Sequence, residues 1–219
     1  MLNLAFDTTA QSCSVILTRD GVTLDKSIQK MDFGQSEALM PAIKNILDKN
    51  GLKMKEIDLV TVCTGPGSFT GVRSSLSAAR TFELALPEIG LTGVSAFEAY
   101  MEDLAPDELA EVNAVIIETK RNDFYFQAFD VHKKAIEAPQ ALNYEDIIDK
   151  LRNHKVTFTG DGVERFLSKP SGLSLHVINM PDIPPIAALA RCGIERWNKK
   201  NLDYPKPLYL RAPDVCVKA

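Results

Sequence analysis

An excess of positive charge is what this chain lacks first. Its 219 residues carry 25 Lys and Arg against 29 Asp and Glu, a formal net charge of −4. Nucleic-acid binding draws on basic side chains that neutralise phosphates, so the balance argues against unaided nucleic-acid binding as the main task. Histidine is scarce too. His132, His154 and His176 have no histidine partner four residues away, which excludes the helical His pair of a zinc protease. No metal site is expected, and each His reads as a surface residue. The four cysteines, Cys13, Cys63, Cys192 and Cys216, form no Cys-x-x-Cys pair. That pattern fits a reduced, cytoplasmic protein whose thiols act as small hydrophobes. No uninterrupted apolar run is long enough to span a bilayer. Met1-Leu2-Asn3-Leu4 lacks the basic start and apolar core of a secretory signal, and no membrane association is expected.

What is present is an ordinary globular composition, 45% hydrophobic and 25% charged. The length suits one large domain or two small ones, enough to bury about 70% of the unfolded surface. Leu2, Leu4 and Phe6 alternate as in a half-buried strand, and Cys13, Val15 and Leu17 alternate again. Arg19-Asp20-Gly21 signals a turn into a returning strand, Val22 to Ile28. Leu39, Ile43, Ile46 and Leu47 share one helical face, with Ser36 as the expected N-cap, Pro41 in the first turns and Gly51 as the stop. Leu59 to Cys63 reads as a strand buried on both faces. A helix follows to about Leu86, then a strand Leu91 to Val94 and a capping box, Ser95 to Glu98. Three strands followed by strands joined through helices imply a mixed sheet with helices on its faces.

Asp103 to Glu111, acidic and interrupted by Pro106, reads as a linker. Beyond it, Val112 to Ile117 and Phe124 to Phe129 read as strands. Tyr144 to Asn153 reads as a helix, Val156 to Thr159 as a strand entering Gly160-Asp161-Gly162, and Ile186 to Asn198 as a helix behind Pro184-Pro185. The tail from Pro205 to Ala219 is expected to be extended and packed through Leu208, Tyr209 and Leu210. The loosely similar strand-first order of the two halves hints at an old duplication.

The densest chemistry lies at Gly65-Pro66-Gly67-Ser68-Phe69-Thr70-Gly71-Val72-Arg73. Glycine permits positive φ and close backbone approach, and a loop between strand and helix aims N–H groups at an anion site. A Walker loop needs four residues between its first glycine and Gly-Lys-Ser/Thr. Here Gly67 and Gly71 are too close, Gly65 and Gly71 too far apart, and no Lys follows. Two readings stand: a structural turn with tight helix packing, which the small residues Ser74, Ser75, Ser77, Ala78 and Ala79 support, or an anion site to which Arg73 adds charge. Ser68 lies outside a Gly-x-Ser-x-Gly elbow because position 70 is Thr70. Asp7-Thr8-Thr9 closes the first strand. In actin- and sugar-kinase-like ATPases this place carries Asp-x-Gly-Thr, whose glycine admits phosphates. Thr9 stands there instead, so these residues are either a weak nucleotide site or turn-stabilising hydrogen-bonders. Glu118, Lys120, Arg121 and Asp123 form a charged cluster that reads as an anion site or, more readily, as a solvated turn.

Taken together, Gly65 to Arg73, the opening Leu4-Ala5-Phe6-Asp7-Thr8-Thr9, Ser36-Glu37-Ala38-Leu39-Met40-Pro41 and Pro207-Leu208-Tyr209-Leu210-Arg211 resemble the TsaB (YeaZ) family of bacterial tRNA threonylcarbamoyladenosine biosynthesis proteins. Gln35 stands where the family often has His, and Glu118 to Tyr125 replaces its Asp-Ala-Arg-x-x-Glu-Val-Tyr stretch. The resemblance implies an actin/Hsp70-like (ASKHA) α/β ATPase fold of two lobes, residues 1–103 and 104–219, with the last helix (186–198) packing back on the first lobe. It implies a non-catalytic subunit that binds a TsaD-like catalytic subunit, works with a TsaE-like ATPase, and meets tRNA through the complex. No cofactor is then required by this chain alone, with ATP used at the level of the complex.

The helices at about 35–50 and 70–86 are the expected partner interface, through Leu39, Ile43, Leu47, Val72, Ser75, Leu76, Ala79 and Phe82. The same surface is expected to pair two copies in a homodimer when the partner is absent. The alternatives are a nucleotide-binding enzyme of the same fold and a glycoprotein peptidase, the latter at odds with the missing metal ligands.

Overall fold

The computed structural model describes residues 1–211. The expectations for the far tail, with Pro213 and Cys216, lie outside the described residues. The first half runs β1 (Leu2–Asp7), β2 (Ser12–Arg19), β3 (Val22–Lys30), α1 (Gln35–Lys49), β4 (Leu59–Cys63), α2 (Phe69–Ala85), β5 (Gly90–Val94) and α3 (Ala96–Asp103). The second half repeats that order as β6 (Val112–Glu118), β7 (Asp123–Phe129), β8 (Gln140–Asn143), α4 (Tyr144–Leu151), β9 (Lys155–Thr159), α5 (Val163–Leu167), β10 (Ser174–Ile178) and α6 (Ile186–Asn198).

The sheets match as well. Their strand orders are β3-β2-β1-β4-β5 and β8-β7-β6-β9-β10. In each, the first three strands are antiparallel and the last two run parallel to the central one. Local chemistry explains the hairpins and helix ends. Asp20 and Gly21 both have positive φ, 50° and 82°, the two-residue turn whose twist suits antiparallel strands. In α1 the buried residues Leu39, Ala42, Ile43, Ile46 and Leu47 form one stripe, as a helix lying on a sheet requires. Gly51, at φ 66°, stops that helix as expected. The α3 box is formed: the Ser95 hydroxyl accepts from the Glu98 N–H at 3.1 Å, and the Glu98 carboxylate accepts from the Ser95 N–H at 2.8 Å.

Several expectations need correction. Gly34, left-handed at φ 91°, precedes α1 in place of Ser36, and its carbonyl takes the N–H groups of Glu37 and Ala38. Pro41 sits inside α1, exposed to solvent. Strands β8 and β10 and helix α5 were not anticipated. Of these, β8 has four residues, and β10, though Leu175 and Val177 alternate with Ser174 and His176, is short and largely exposed.

Three cores fill the molecule. One lies between the first sheet and α1 and α2, and another between the second sheet and α4 and α5. The middle core joins Ala5, Ile16 and Val94 of the first sheet, Phe97 and Tyr100 of α3, Leu189 of α6, and Val115 and Ile117 of the second sheet. Helix α6 therefore packs on the first sheet although it follows the second in sequence. At Gly193 it comes so close to β4 that an added Cβ would lie 2.0 Å from the Thr61 hydroxyl.

Candidate functional site: a cleft between the lobes

Strands β1 and β4, and β6 and β9, are the parallel inner pairs of the two sheets. The loops at their C-terminal ends meet between the lobes, the usual place for a ligand in open α/β sheets. A cavity of about 380 Å³ lies there, lined by Thr9, Gln11, Gly67, Ser68 and Phe69 from the first lobe and by Glu118, Lys120, Arg121, Tyr125 and Asp161 from the second. Leu208 to Arg211 of the tail complete the wall.

On the first-lobe side the glycine loop is pressed onto the β1–β2 hairpin. A Cβ on Gly71 would lie 1.9 Å from the Thr8 carbonyl oxygen, and one on Gly67 would lie 2.3 Å from that of Thr9. The Ser68 N–H donates to the Thr9 carbonyl at 2.7 Å, and the Ser68 hydroxyl caps α2 by accepting from Gly71 N–H at 3.4 Å. The Thr8 N–H donates to the Ser75 hydroxyl at 3.1 Å, while the Thr8 hydroxyl donates to the Gly71 carbonyl at 2.7 Å. Gly65 has φ 95°, and Pro66 lines the cavity. Thr70 is exposed, and the exposed Arg73 guanidinium lies 3.9 Å over the Phe69 ring.

Asp161, partly buried, lines the cavity, and two fully buried residues of the first lobe, Asp7 and Tyr100, lie within reach of its charge. Asp7 accepts from the Thr9 N–H at 2.7 Å through one carboxylate oxygen, while the other has no partner, and burial pushes its carboxyl above the usual range. Asp161 accepts from the Glu118 N–H at 3.0 Å, and burial pushes its carboxyl up to about 7. The Tyr100 hydroxyl, also buried without a partner, is raised by burial and then by the charges of Asp161 and Asp7. Among the described residues no three His, Cys, Asp or Glu side chains converge as metal ligands.

In the charged stretch after β6, Lys120 and Arg121 lie in an exposed bend as expected, while Glu118 and Asp123 are partly buried and paired. Glu118 takes two bonds from the Arg165 guanidinium, at 2.6 and 2.8 Å. Partial burial is the largest single influence and works against its charge, but the Arg165 bonds and charge together with the Lys120 and Thr119 N–H groups outweigh it and hold the carboxyl below its usual range. Arg165 lies 3.8 Å over the Phe124 ring, and Asp123 pairs with Arg211 of the tail. Asp161, Arg165 and Arg211 were not singled out from the sequence. The available signal was positional: Gly160-Asp161-Gly162 follows β9 as the glycine loop follows β4.

The residues expected to meet a partner lie elsewhere. Leu39, Ile43, Leu47, Val72, Leu76 and Ala79 are buried in the first core, and Ser75 is fully buried against Thr8. Phe82 is half-buried, edge-on to Phe6 with ring centroids 6.4 Å apart. These side chains bind the helices to their own sheet, and of them only the half-buried Phe82 keeps some surface. The outward faces of α1 and α2 carry instead Met40, Lys44, Arg80 and Leu84, the last 84% exposed.

Two mixed sheets of one topology, flanked by helices and with a cleft at their strand ends, define an actin/Hsp70-like α/β protein. A ROK hexokinase from Thermus thermophilus matches with a TM-score of 0.52 at 10% identity, covering 90% of this chain and 100% of its own. YeaZ from Pseudomonas aeruginosa matches with a TM-score of 0.81 at 20% identity, covering 95% and 99%. At these identities the likeness is one of fold. The sequence carries the relationship further. The family model described as TsaD, tRNA N6-adenosine threonylcarbamoyltransferase, matches residues 34–166, and the chain belongs to this family. The tRNA threonylcarbamoyladenosine biosynthesis protein TsaB of Escherichia coli (strain K12) is 26% identical over 223 residues, spanning 95% of this chain and 94% of that one. The resemblance drawn from the glycine signature agrees with these matches.

Proposed function

We propose that this chain is a non-catalytic subunit of the machinery that adds threonylcarbamoyl to adenosine 37 of tRNAs reading ANN codons, and that it acts by binding and supporting a TsaD-like catalytic subunit. One observation carries this reading. In the glycine loop the room left by Gly67 and Gly71 is filled by the Thr8 and Thr9 backbone, and the Ser68 and Gly71 N–H groups are bonded within the chain. The loop thus gives to the hairpin backbone the room, and to bonds within the chain two of the N–H groups, that a phosphate would use. The full-length match to the Escherichia coli TsaB supports the same reading. A TsaE-like ATPase joins the complex, tRNA is met through it, and the assembly works in the cytoplasm.

The partner surface proposed is the outward face of α1 and α2, with Met40 and Leu84 as its apolar points. In isolation the same patch pairs two copies of the chain, as symmetric dimers do. Depletion of the protein followed by mass spectrometry of tRNA nucleosides tests the function: loss of threonylcarbamoyladenosine is expected, and an unchanged level refutes it.

The cleft supports a second reading, nucleotide binding by the chain alone at Asp7, Thr8 and Thr9, of which Thr9 lines the cavity. A cavity of about 380 Å³ lies within the range of small-molecule sites. Calorimetry with ATP on the isolated chain separates the two readings. The subunit reading expects no saturable heat.

A further inference from the structure

Helix α6 ends at Asn198, and the chain then runs without regular structure to Arg211, yet it is held at nearly every step. The Asp203 carbonyl accepts the Gly93 N–H at 2.9 Å. The Pro205 carbonyl accepts from the Arg80 guanidinium at 2.8 Å. The Leu208 N–H donates to the Thr64 carbonyl at 2.9 Å, and Leu208 and Leu210 pack on the middle core. Tyr209 stacks at a tilt on Phe69, with ring centroids 5.3 Å apart.

The seat for this segment is cut into the first sheet. A Cβ at Gly93 would lie 2.8 Å from Pro205 Cα, so only glycine lets the tail lie against β5. From Asp203 to Tyr209 these holds are on the first lobe. Arg211 reaches the second, where it pairs with Asp123 of β7 and lies 5.5 Å over the Tyr125 ring. Between the two sets of anchors, Leu208 to Arg211 form part of the cleft wall.

We infer that residues 203–211 are a strap that crosses from the first lobe to the second and holds the cleft closed, with the Arg211–Asp123 ion pair as its latch. Two-lobed proteins commonly close by hinge motion around a bound ligand, whose contacts to both lobes stabilise the closed form. Here the chain makes those contacts itself. Because the strap is covalently attached, it acts at a high effective concentration and needs no ligand. Among the described residues one ion pair and one cation–ring contact hold Arg211 itself, both at partly exposed side chains, so release there loosens the cleft side of the lobe contact while the first-lobe anchors stay seated and the middle core goes on joining the two sheets. This holds whether or not the chain partners a transferase.

Pulsed electron resonance tests the strap. Spin labels at Lys26→Cys on β3 and Glu145→Cys on α4 report one lobe each, in full-length protein carrying Cys192→Ser and Cys216→Ser and diluted with unlabelled chain. One narrow distance distribution is expected for Arg211 and for Arg211→Lys, which keeps the charge. Arg211→Glu is expected to broaden it or shift its mean by more than about 2 Å, the scale of a domain rearrangement. An unchanged distribution in Arg211→Glu overturns the strap, and an equal opening in Arg211→Lys overturns the ion pair as its latch. Should Arg211→Glu fail to fold, Tyr209→Ala removes only a half-exposed ring. It is expected to open the lobes, and no change in that variant rejects the proposal equally.

Discussion

The N–H of Ser68 donates to the carbonyl of Thr9 at 2.7 Å, tying the glycine loop of β4–α2 to the hairpin of β1–β2. The second lobe repeats the tie. The Gly162 N–H donates to the Ile116 carbonyl at 3.0 Å, and a Cβ on Gly160 would lie 2.1 Å from that same oxygen. In both halves, glycines after the parallel strand let a loop press on the strand beside it. The glycine density is therefore explained by backbone against backbone, once in each lobe.

Gly71→Ala tests that explanation. The new methyl would lie 1.9 Å from the Thr8 oxygen, backbone that can yield only by moving the hairpin. Overpacking of this kind costs about 1–3 kcal/mol or more, and a loss near the top of that range is expected in urea unfolding. Gly21→Ala is the control, since nothing lies within 4 Å of its Cβ position and only its positive φ is strained. Equal losses in the two variants would mean that close approach is not what position 71 requires.

Ser75 gives the second prediction. Its hydroxyl accepts from the Thr8 N–H and bonds the Thr8 hydroxyl, and the residue is fully buried. Ser75→Ala leaves a buried N–H unpaired and is expected to cost about 1–3 kcal/mol. Ser75→Trp is expected to unfold the chain outright, so loss of a partner in that variant reports lost folding. Circular dichroism of the purified variants distinguishes the two cases.

Periodicity found what is local. The alternation at Leu2, Leu4 and Phe6, the stripe at Leu39, Ile43, Ile46 and Leu47 and the Ser95–Glu98 box each lie within one element. Sequence alone did not say what a stripe packs against. An apolar face at helical spacing looks the same whether it meets its own sheet or a partner, and here Val72, Leu76 and Ala79 meet the sheet. The second side of the cleft was illegible for a related reason. Its bonds join residues far apart in the chain, as Glu118 and Asp161 are at 43 residues. Strand β10 alternates Leu175 and Val177 with polar residues over only five positions, too short a run to stand out, and most of its side chains are exposed.

Asp161 predicts a pH effect with a definite sign. Burial raises its carboxyl from an ordinary value of 3.8 to about 7 in the folded protein, with Glu118 and Asp7 adding repulsion. Between roughly pH 4 and 7 the folded state therefore holds a proton that the unfolded state has lost, and stability falls as pH rises through that window. Asp161→Asn removes this contribution. The stability of the native protein minus that of the variant is expected to decline from about pH 4 to about pH 7 and then level off. Glu118, held low by Arg165 and neighbouring N–H groups, slopes the other way in both proteins and, apart from its repulsion with Asp161, cancels in the difference. A flat difference across the window would show that Asp161 is ionised throughout.

Met40 and Leu84 test the proposed partner surface without disturbing the core. Both sit on helices whose buried faces are already spent on the first sheet, and they are 49% and 84% exposed. Exposed substitutions away from special features change stability by no more than about 0.5 kcal/mol, so Met40→Glu and Leu84→Glu are expected to melt like the native chain. An apolar point desolvated at an interface typically contributes about 2 kcal/mol, roughly thirtyfold in Kd. The double variant is therefore expected to lose co-purification with a TsaD-like subunit and to weaken self-association by a similar factor. Analytical ultracentrifugation reads the second effect, and isothermal titration with the purified partner reads the first. A charged pair here that leaves both affinities unchanged moves the partner surface off α1 and α2.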